Sequence, residues 1–281
     1  MTPSTDHAPL TRLIRRLDIE PLDDDVFLGH PGRGDGALFG GLVAAQAVMA
    51  AGRTVRDRML HSLHGYFLRP GRHGVPIRLV VEHLREGRTF STRSVMAHQS
   101  GEPIFQLAAD FTVLEEGLAH QEAPAPTAPE PQGLPDWEDL RAQLLGDPSM
   151  RRPDGPIEVR VCDPDSPDRS IKLPARRRVW LRPRGTVPDD PLLHAALLVF
   201  ASDRTLLRTA ARPHGLTWRL RTGASLDHAV WLHRPARFDD WVLYASESPV
   251  AHAARALLLG AMYRRDGTRI VSVAQEGLLR T

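Results

Sequence analysis

The feature that most restricts what this chain can fold into is an internal repeat. His64-Gly65-Tyr66-Phe67-Leu68-Arg69-Pro70 is matched 165 residues later by Ala229-Val230-Trp231-Leu232-His233-Arg234-Pro235. At the same offset Ile77-Arg78-Leu79-Val80-Val81-Glu82 falls on Val242-Leu243-Tyr244-Ala245-Ser246-Glu247. With a slip of one, Gly101 of SGEPIFQLAADF meets Gly267 of RDGTRIVSVAQEG. Three segments at nearly one offset point to a duplicated fold, in which each copy closes its core with the same elements in the same order.

Each half carries that order. In the first, an apolar segment at 25–28 precedes the Ala-rich stretch 39–51, which has no proline and is expected to be a helix. Apolar segments at 62–68, 76–83, 89–97 and 103–113 follow, separated by turn residues such as Arg69-Pro70-Gly71. In the second, a strand at 178–181 precedes a helix opened by Asp190 as N-cap with Pro191 at its first position. Strands are expected again at 227–232, 241–247, 254–263 and 268–278. The break between halves is 121–135 (QEAPAPTAPEPQGLP), where five prolines alternate with small or polar residues. We therefore expect an N-terminal unit at 1–120, a Pro-rich linker at 121–155 and a C-terminal unit at 156–281. One long helix followed by an antiparallel meander is the pattern of a sheet curled around a central helix. The expected fold is α+β, a double hot-dog of two fused copies.

Composition removes several classes of function. Lys+Arg 36 against Asp+Glu 34 leaves a formal charge of +2, and Lys172 is the one lysine, so the pI of 9.1 reflects scattered arginines rather than a nucleic-acid-binding face. The lone Cys162 excludes an intramolecular disulfide framework and a Cys-based metal site. No apolar run approaches the roughly 18 residues of a membrane span, and the opening MTPSTDHAPL lacks the form of a signal peptide. A cytoplasmic protein without metal or cofactor is the expectation.

The segments FGG (39–41), HSLHGYFLRPG (61–71), SLDHAVWLHRP (225–235), ESPVAHAARA (247–256) and AQEGLLR (274–280), in this order on a duplicated frame, resemble the TesB-type acyl-CoA thioesterase II family. The resemblance implies hydrolysis of acyl-CoA to free acid and coenzyme A without metal or covalent intermediate. It implies a water held by an Asp, a Ser or Thr, and a Gln, which fall here on Asp203, Ser225 and Gln275. It also implies an acyl-CoA substrate and association into a homo-oligomer.

The residues support that chemistry on their own terms. Spacing around the 190–203 helix sets Asp203 on the side of Leu192, Ala196 and Phe200, where partial desolvation raises a carboxyl pKa and makes it a better proton acceptor. Gly40 and Gly41 open the first-half helix, whose N-terminal amides suit a developing oxyanion. The chain has no G-x-S-x-G elbow, because Gly223-Ala224-Ser225-Leu226-Asp227 carries Asp at the last position, and no H-E-x-x-H. Gly32-Arg33-Gly34-Asp35-Gly36 lacks dinucleotide-loop spacing and is expected to be a loop near the substrate entrance. His228 and His233 are expected on opposite strand faces, as are His61 and His64, one of which is a candidate for a place near the site. Two other readings remain open at this level: an enoyl-CoA hydratase, which wants an Asp-His pair on one face, and a non-catalytic acyl-CoA-binding protein.

Overall fold

The computed structural model describes residues 8–166, 168, 171–215, 222–235 and 237–280; residues 1–7 of the N-terminal stretch read above and Thr281 lie outside it. In chain order the elements are α1 (Ala8–Leu17), β1 (Glu20–Asp23), β2 (Val26–Gly29), α2 (Gly40–Arg53), β3 (Met59–Phe67), β4 (Ile77–Glu86), β5 (Phe90–Gln99) and β6 (Glu102–Thr112). After them come α3 (Trp137–Leu145), β7 (Ile157–Val161), β8 (Arg176–Pro183), α4 (Pro191–Ser202), α5 (Leu206–Ala211) and β9 (Thr222–Ser225). The chain closes with β10 (Asp227–Leu232), β11 (Val242–His252), β12 (Arg255–Tyr263) and β13 (Arg269–Arg280). Among the described residues no helix is long and apolar enough to cross a membrane.

The strands form one antiparallel sheet in the order β1-β2-β4-β5-β6-β3-β10-β13-β12-β11-β8-β7, with β9 also paired to β13. The repeat is visible in this order. The run β2-β4-β5-β6-β3 of the first half is mirrored by β8-β11-β12-β13-β10 of the second, and the halves meet where β3 pairs β10. Inner-facing positions alternate along each strand, as in β5, where every second residue from Ser91 to Gln99 is buried.

Helix α2 is buried from Gly41 to Ala51, as its Ala-rich sequence requires, and packs on β2 to β6 and along α4. Small side chains let the two helices approach closely, and a Cβ on Gly52 would come within 2.3 Å of Leu192. The helices run antiparallel, so the start of each lies against the end of the other. The second-half helical segment comes in two pieces, with α4 alongside α2 and the short α5 against β8, β11 and β12. Asp190 caps α4 by accepting from the Leu192 and Leu193 amides at 2.9 and 3.3 Å. One core runs through both halves, joining Val48 and Leu107 to Leu197 and Val273.

The stretch before residue 156, expected to be irregular, contains α3. Asp136 caps it by accepting from the Glu138 amide at 2.9 Å, and Gly146 ends it in the left-handed conformation. The Pro-rich segment is a strap laid on the outer face of β8, β11 and β12. Ala125, Ala128 and Leu134 cover Trp180, Trp241, Leu243 and Tyr263, and Trp180 Nε1 donates to the Pro129 carbonyl at 2.8 Å. Prolines suit such a strap because they have few unfolded conformations to lose and no N–H left unpaired.

Candidate active site

The C-terminal end of α4 meets the N-terminal end of α2. Phe39 precedes α2 and offers no side-chain cap. The cap comes instead from the other half, where the Gly41 amide donates to Asp203 Oδ2 at 2.8 Å. An anion at a helix N-terminus is favoured by the exposed amides and the helix dipole. Glycine is needed here for close approach: a Cβ on Gly41 would lie 2.8 Å from the Phe200 carbonyl, and one on Gly40 would lie 3.1 Å from Asp203 Oδ2.

The remaining groups arrive from the sheet. Ser225 donates to Asp203 Oδ1 at 3.0 Å and accepts from Gln275 Nε2 at 2.7 Å. Gln275 Oε1 lies 2.7 Å from His228 Nδ1, and His228 Nε2 lies 2.7 Å from Ser202 Oγ. Burial raises the Asp203 pKa against the opposing pull of His228, Ser225, the Gly41 amide and Gln275, leaving a carboxylate of increased basicity with partial access to solvent. Burial lowers the His228 pKa and so favours the neutral ring. A neutral ring satisfies the network when Nδ1–H donates to Gln275 and Nε2 accepts from Ser202, which directs the Gln275 amide nitrogen at Ser225.

The structure thus joins Asp203, Ser225 and Gln275 in one hydrogen-bonded chain and sets Gly40 and Gly41 against it. The Gly41 amide is committed to the carboxylate rather than open. His228, placed above only on the strand face opposite His233, belongs to the chain. Strict alternation puts residues three apart on opposite faces, but β9 pairs β13 with Ser225 opposite Gly277, whereas β10 pairs it with Ala229 opposite Ala274. The register therefore shifts by one at Leu226, a bulge that turns Ser225 and His228 to the same side. The Leu226 amide donates to the Glu276 carbonyl at 2.9 Å and the Glu276 amide to Asp227 Oδ1 at 2.5 Å, pinning the bulge. Each residue of Ser-Leu-Asp-His has a separate task, and the motif was the available signal for His228.

Other candidates lie elsewhere. His61 pairs with Asp110 at 3.1 Å and His64 stacks edge-on against Trp231 at 5.1 Å, so neither joins this constellation. Arg69 donates to the Pro103 carbonyl, and Arg234 to that of Arg269. Cys162 has its thiol pKa pushed up to about 11, first by burial and then by Asp163. Among the described residues no three His, Cys, Asp or Glu side chains gather as a metal would need.

Residues 170–278 match the acyl-CoA thioesterase family and residues 30–112 the acyl-CoA thioesterase N-terminal domain. The chain is 38% identical over 280 residues to acyl-CoA thioesterase 2 of Haemophilus influenzae, covering 96% of this chain and 98% of that protein. The solved tesB protein of Mycobacterium avium subspecies paratuberculosis superposes with a TM-score of 0.82 at 33% identity, over 97% of this chain and 100% of the other. A hot-dog protein from Alicyclobacillus acidocaldarius superposes with a TM-score of 0.78 at 18% identity, over 96% of this chain and 98% of its own, a likeness of fold alone.

Proposed function

The chain belongs to the acyl-CoA thioesterase family, and on that premise we propose that it hydrolyses fatty acyl-CoA by direct attack of a water held between Asp203 and Gln275. The observation that carries the reading is the unbroken hydrogen-bonded chain from the Gly41 amide through Asp203 and Ser225 to Gln275. Gln275 Nε2 spends one hydrogen on Ser225 and keeps a second for the water oxygen. Asp203, made more basic by burial, takes the water proton as the oxygen bonds to the thioester carbon. Protonation weakens the hold of Asp203 on the Gly41 amide, and the amides of Gly40 and Gly41 then face the oxyanion at the positive end of α2. Collapse breaks the C–S bond, and the departing thiolate recovers the proton from Asp203.

The same reading takes the chain as a double hot-dog, with units at 1–120 and 156–281 joined by 121–155. The mirrored strand order of the two halves supports it.

The test is release of free coenzyme A, followed by thiol trapping, from short, medium and long acyl-CoAs, with Asp203→Asn beside the native protein. The expected result is turnover lost by about 10²- to 10⁴-fold in Asp203→Asn, the usual worth of a general base, with acyl-CoA binding kept. Undiminished turnover in Asp203→Asn would sink the assignment, and binding without turnover in the native protein would leave a non-catalytic acyl-CoA-binding protein.

A further inference from the structure

The duplication gives this molecule two quasi-equivalent positions on the sheet, and only one carries the set of reactive side chains. The pairing of β3 with β10 sets His64 opposite Ala229. These two residues are also equivalent in the repeat, so a local twofold axis runs through the pair. Applied to the site, the axis sends Ser225 to Leu60 and His228 to Leu63; through the pairing of Leu63 with Ala109 it sends Gln275 to Ala109. The helix that ends on Asp203 has as its counterpart α2, which ends on Thr54. The bulge itself is kept, because β3 shifts register at His61 as the second half does at Leu226. The hydrolytic groups are replaced by Leu60, Leu63, Ala109 and Thr54 on the same strand-and-helix framework.

That second position is open. A crevice of about 430 Å³ lies there, bounded by the start of β3, the end of β10 and the first turn of α4, and its size is that of a small-molecule pocket. The 12 residues of α4, about 18 Å of helix, separate it from Asp203. Leu60, Leu192 and Leu232 line it with apolar surface, and Arg234 and Arg264 stand beside them. Their guanidinium groups donate to the carbonyls of Arg269 and Pro235. Among the described residues neither forms a salt bridge, although Asp266 is close enough for both to help lower its pKa. His194 also lines the crevice and is 1% exposed. Its Nδ1 accepts from the Phe238 amide at 3.0 Å, which puts the ring proton on Nε2, an atom without a hydrogen-bond partner in the structure. Buried donors are rarely left so.

An apolar lining with two arginines outside any salt bridge and an unused N–H complements an aliphatic chain that ends in an anionic head. We propose that this crevice is a second, non-hydrolytic acyl site, which holds a fatty carboxylate or an acyl thioester without cleaving it. The chain lies on Leu60, Leu192 and Leu232 and the head faces Arg234 and Arg264. The choice of ligand rests on the acyl-CoA reading of the first site.

The test is binding stoichiometry by titration calorimetry on the full chain, with dodecanoate and with the uncleavable thioether S-dodecyl-coenzyme A as separate probes. Two equivalents per chain of either probe are expected, and which probe binds twice identifies free acid or thioester as the ligand. Leu232→Trp fills the crevice and Arg264→Glu reverses a charge beside it. Each should retain one equivalent and weaken the second by at least about tenfold, or roughly 1.4 kcal/mol, while coenzyme A release at the first site is unchanged. One equivalent of both probes in the native protein overturns the proposal, as do two undiminished equivalents in both variants. A crevice that only ends the first site's acyl tunnel would give one equivalent and an altered chain-length preference in Leu232→Trp, and this too overturns it. Turnover with a single equivalent bound refutes the second site alone, whereas two equivalents without turnover refute the hydrolytic reading alone.

Discussion

Replacing His228 by leucine, the residue its twofold counterpart Leu63 already is, removes the ring behind Gln275 while filling most of its volume. The Ser202 hydroxyl, released from His228 Nε2, can turn its hydrogen to the Val199 carbonyl at 2.8 Å, so the main loss falls on Gln275 Oε1, which is left buried without its donor. An orphaned buried acceptor costs about 1–3 kcal/mol, and at about 2–4 °C per kcal/mol for a chain of this size the melting temperature should fall by about 2–12 °C. The larger effect is on chemistry. With Oε1 released, the Gln275 amide is free to turn, and its nitrogen no longer points at Ser225 and the water. Misplacement of a positioning group costs on the order of 10²-fold, so kcat should drop by about 10- to 100-fold with KM nearly constant. Coenzyme A release at saturating and limiting substrate separates the two parameters, and a melt of the same sample reports folding. His228→Asn, whose amide can donate to Gln275, should recover part of kcat. A variant that melts lower but keeps its full kcat would refute the claim that His228 orients Gln275.

Four further outcomes are expected. Because burial raises the Asp203 pKa above its ordinary 3.8 and the base must be ionised, kcat/KM should rise with pH along a limb centred above that value; a limb at or below 3.8 would contradict the site. The neutral His228 has a folded pKa below its ordinary 6.5, so the unfolded chain binds the extra proton first and stability falls as pH drops from 6.5 toward the folded value. The melting-point gap between native protein and His228→Leu should therefore narrow in acid, and a constant gap would contradict the buried neutral ring. Gly41→Ala forces a Cβ to 2.8 Å from the Phe200 carbonyl and so parts α2 from Asp203; turnover should fall by more than tenfold even in protein that circular dichroism reports as folded. Cys162, half-buried and with its thiol pKa pushed up to about 11, should react slowly with a thiol reagent at pH 8, and rapid full labelling would refute the raised pKa.

Much of the scaffold is legible in one dimension. Asp190-Pro191 marks the start of α4 because an N-cap acceptor followed by a residue without an N–H is a local solution to a local problem. The strand expected at 227–232 coincides with β10 because alternation persists across it. Helix α3 is hidden in the sequence because proline density nearby masks a nine-residue segment whose apolar face is narrow. At the site, Asp203, Ser225 and Gln275 are legible through the order of their motifs. Their contact is not, since it depends on two helices and two strands that come from different parts of the chain.

The duplication, the order of elements within each half and the residue types available for chemistry are written in one dimension, because repeats, caps and periodicity are properties of neighbours along the chain. Only in three dimensions does the Asp203 carboxylate cap α2, does a bulge at Leu226 bring His228 behind Gln275, and do Leu60, Leu63 and Ala109 become the twofold counterparts of Ser225, His228 and Gln275. Those outcomes depend on register and on the approach of helix ends. A shift of one residue in register exchanges the faces of a strand, and a single Cβ at Gly41 would hold the two helices apart.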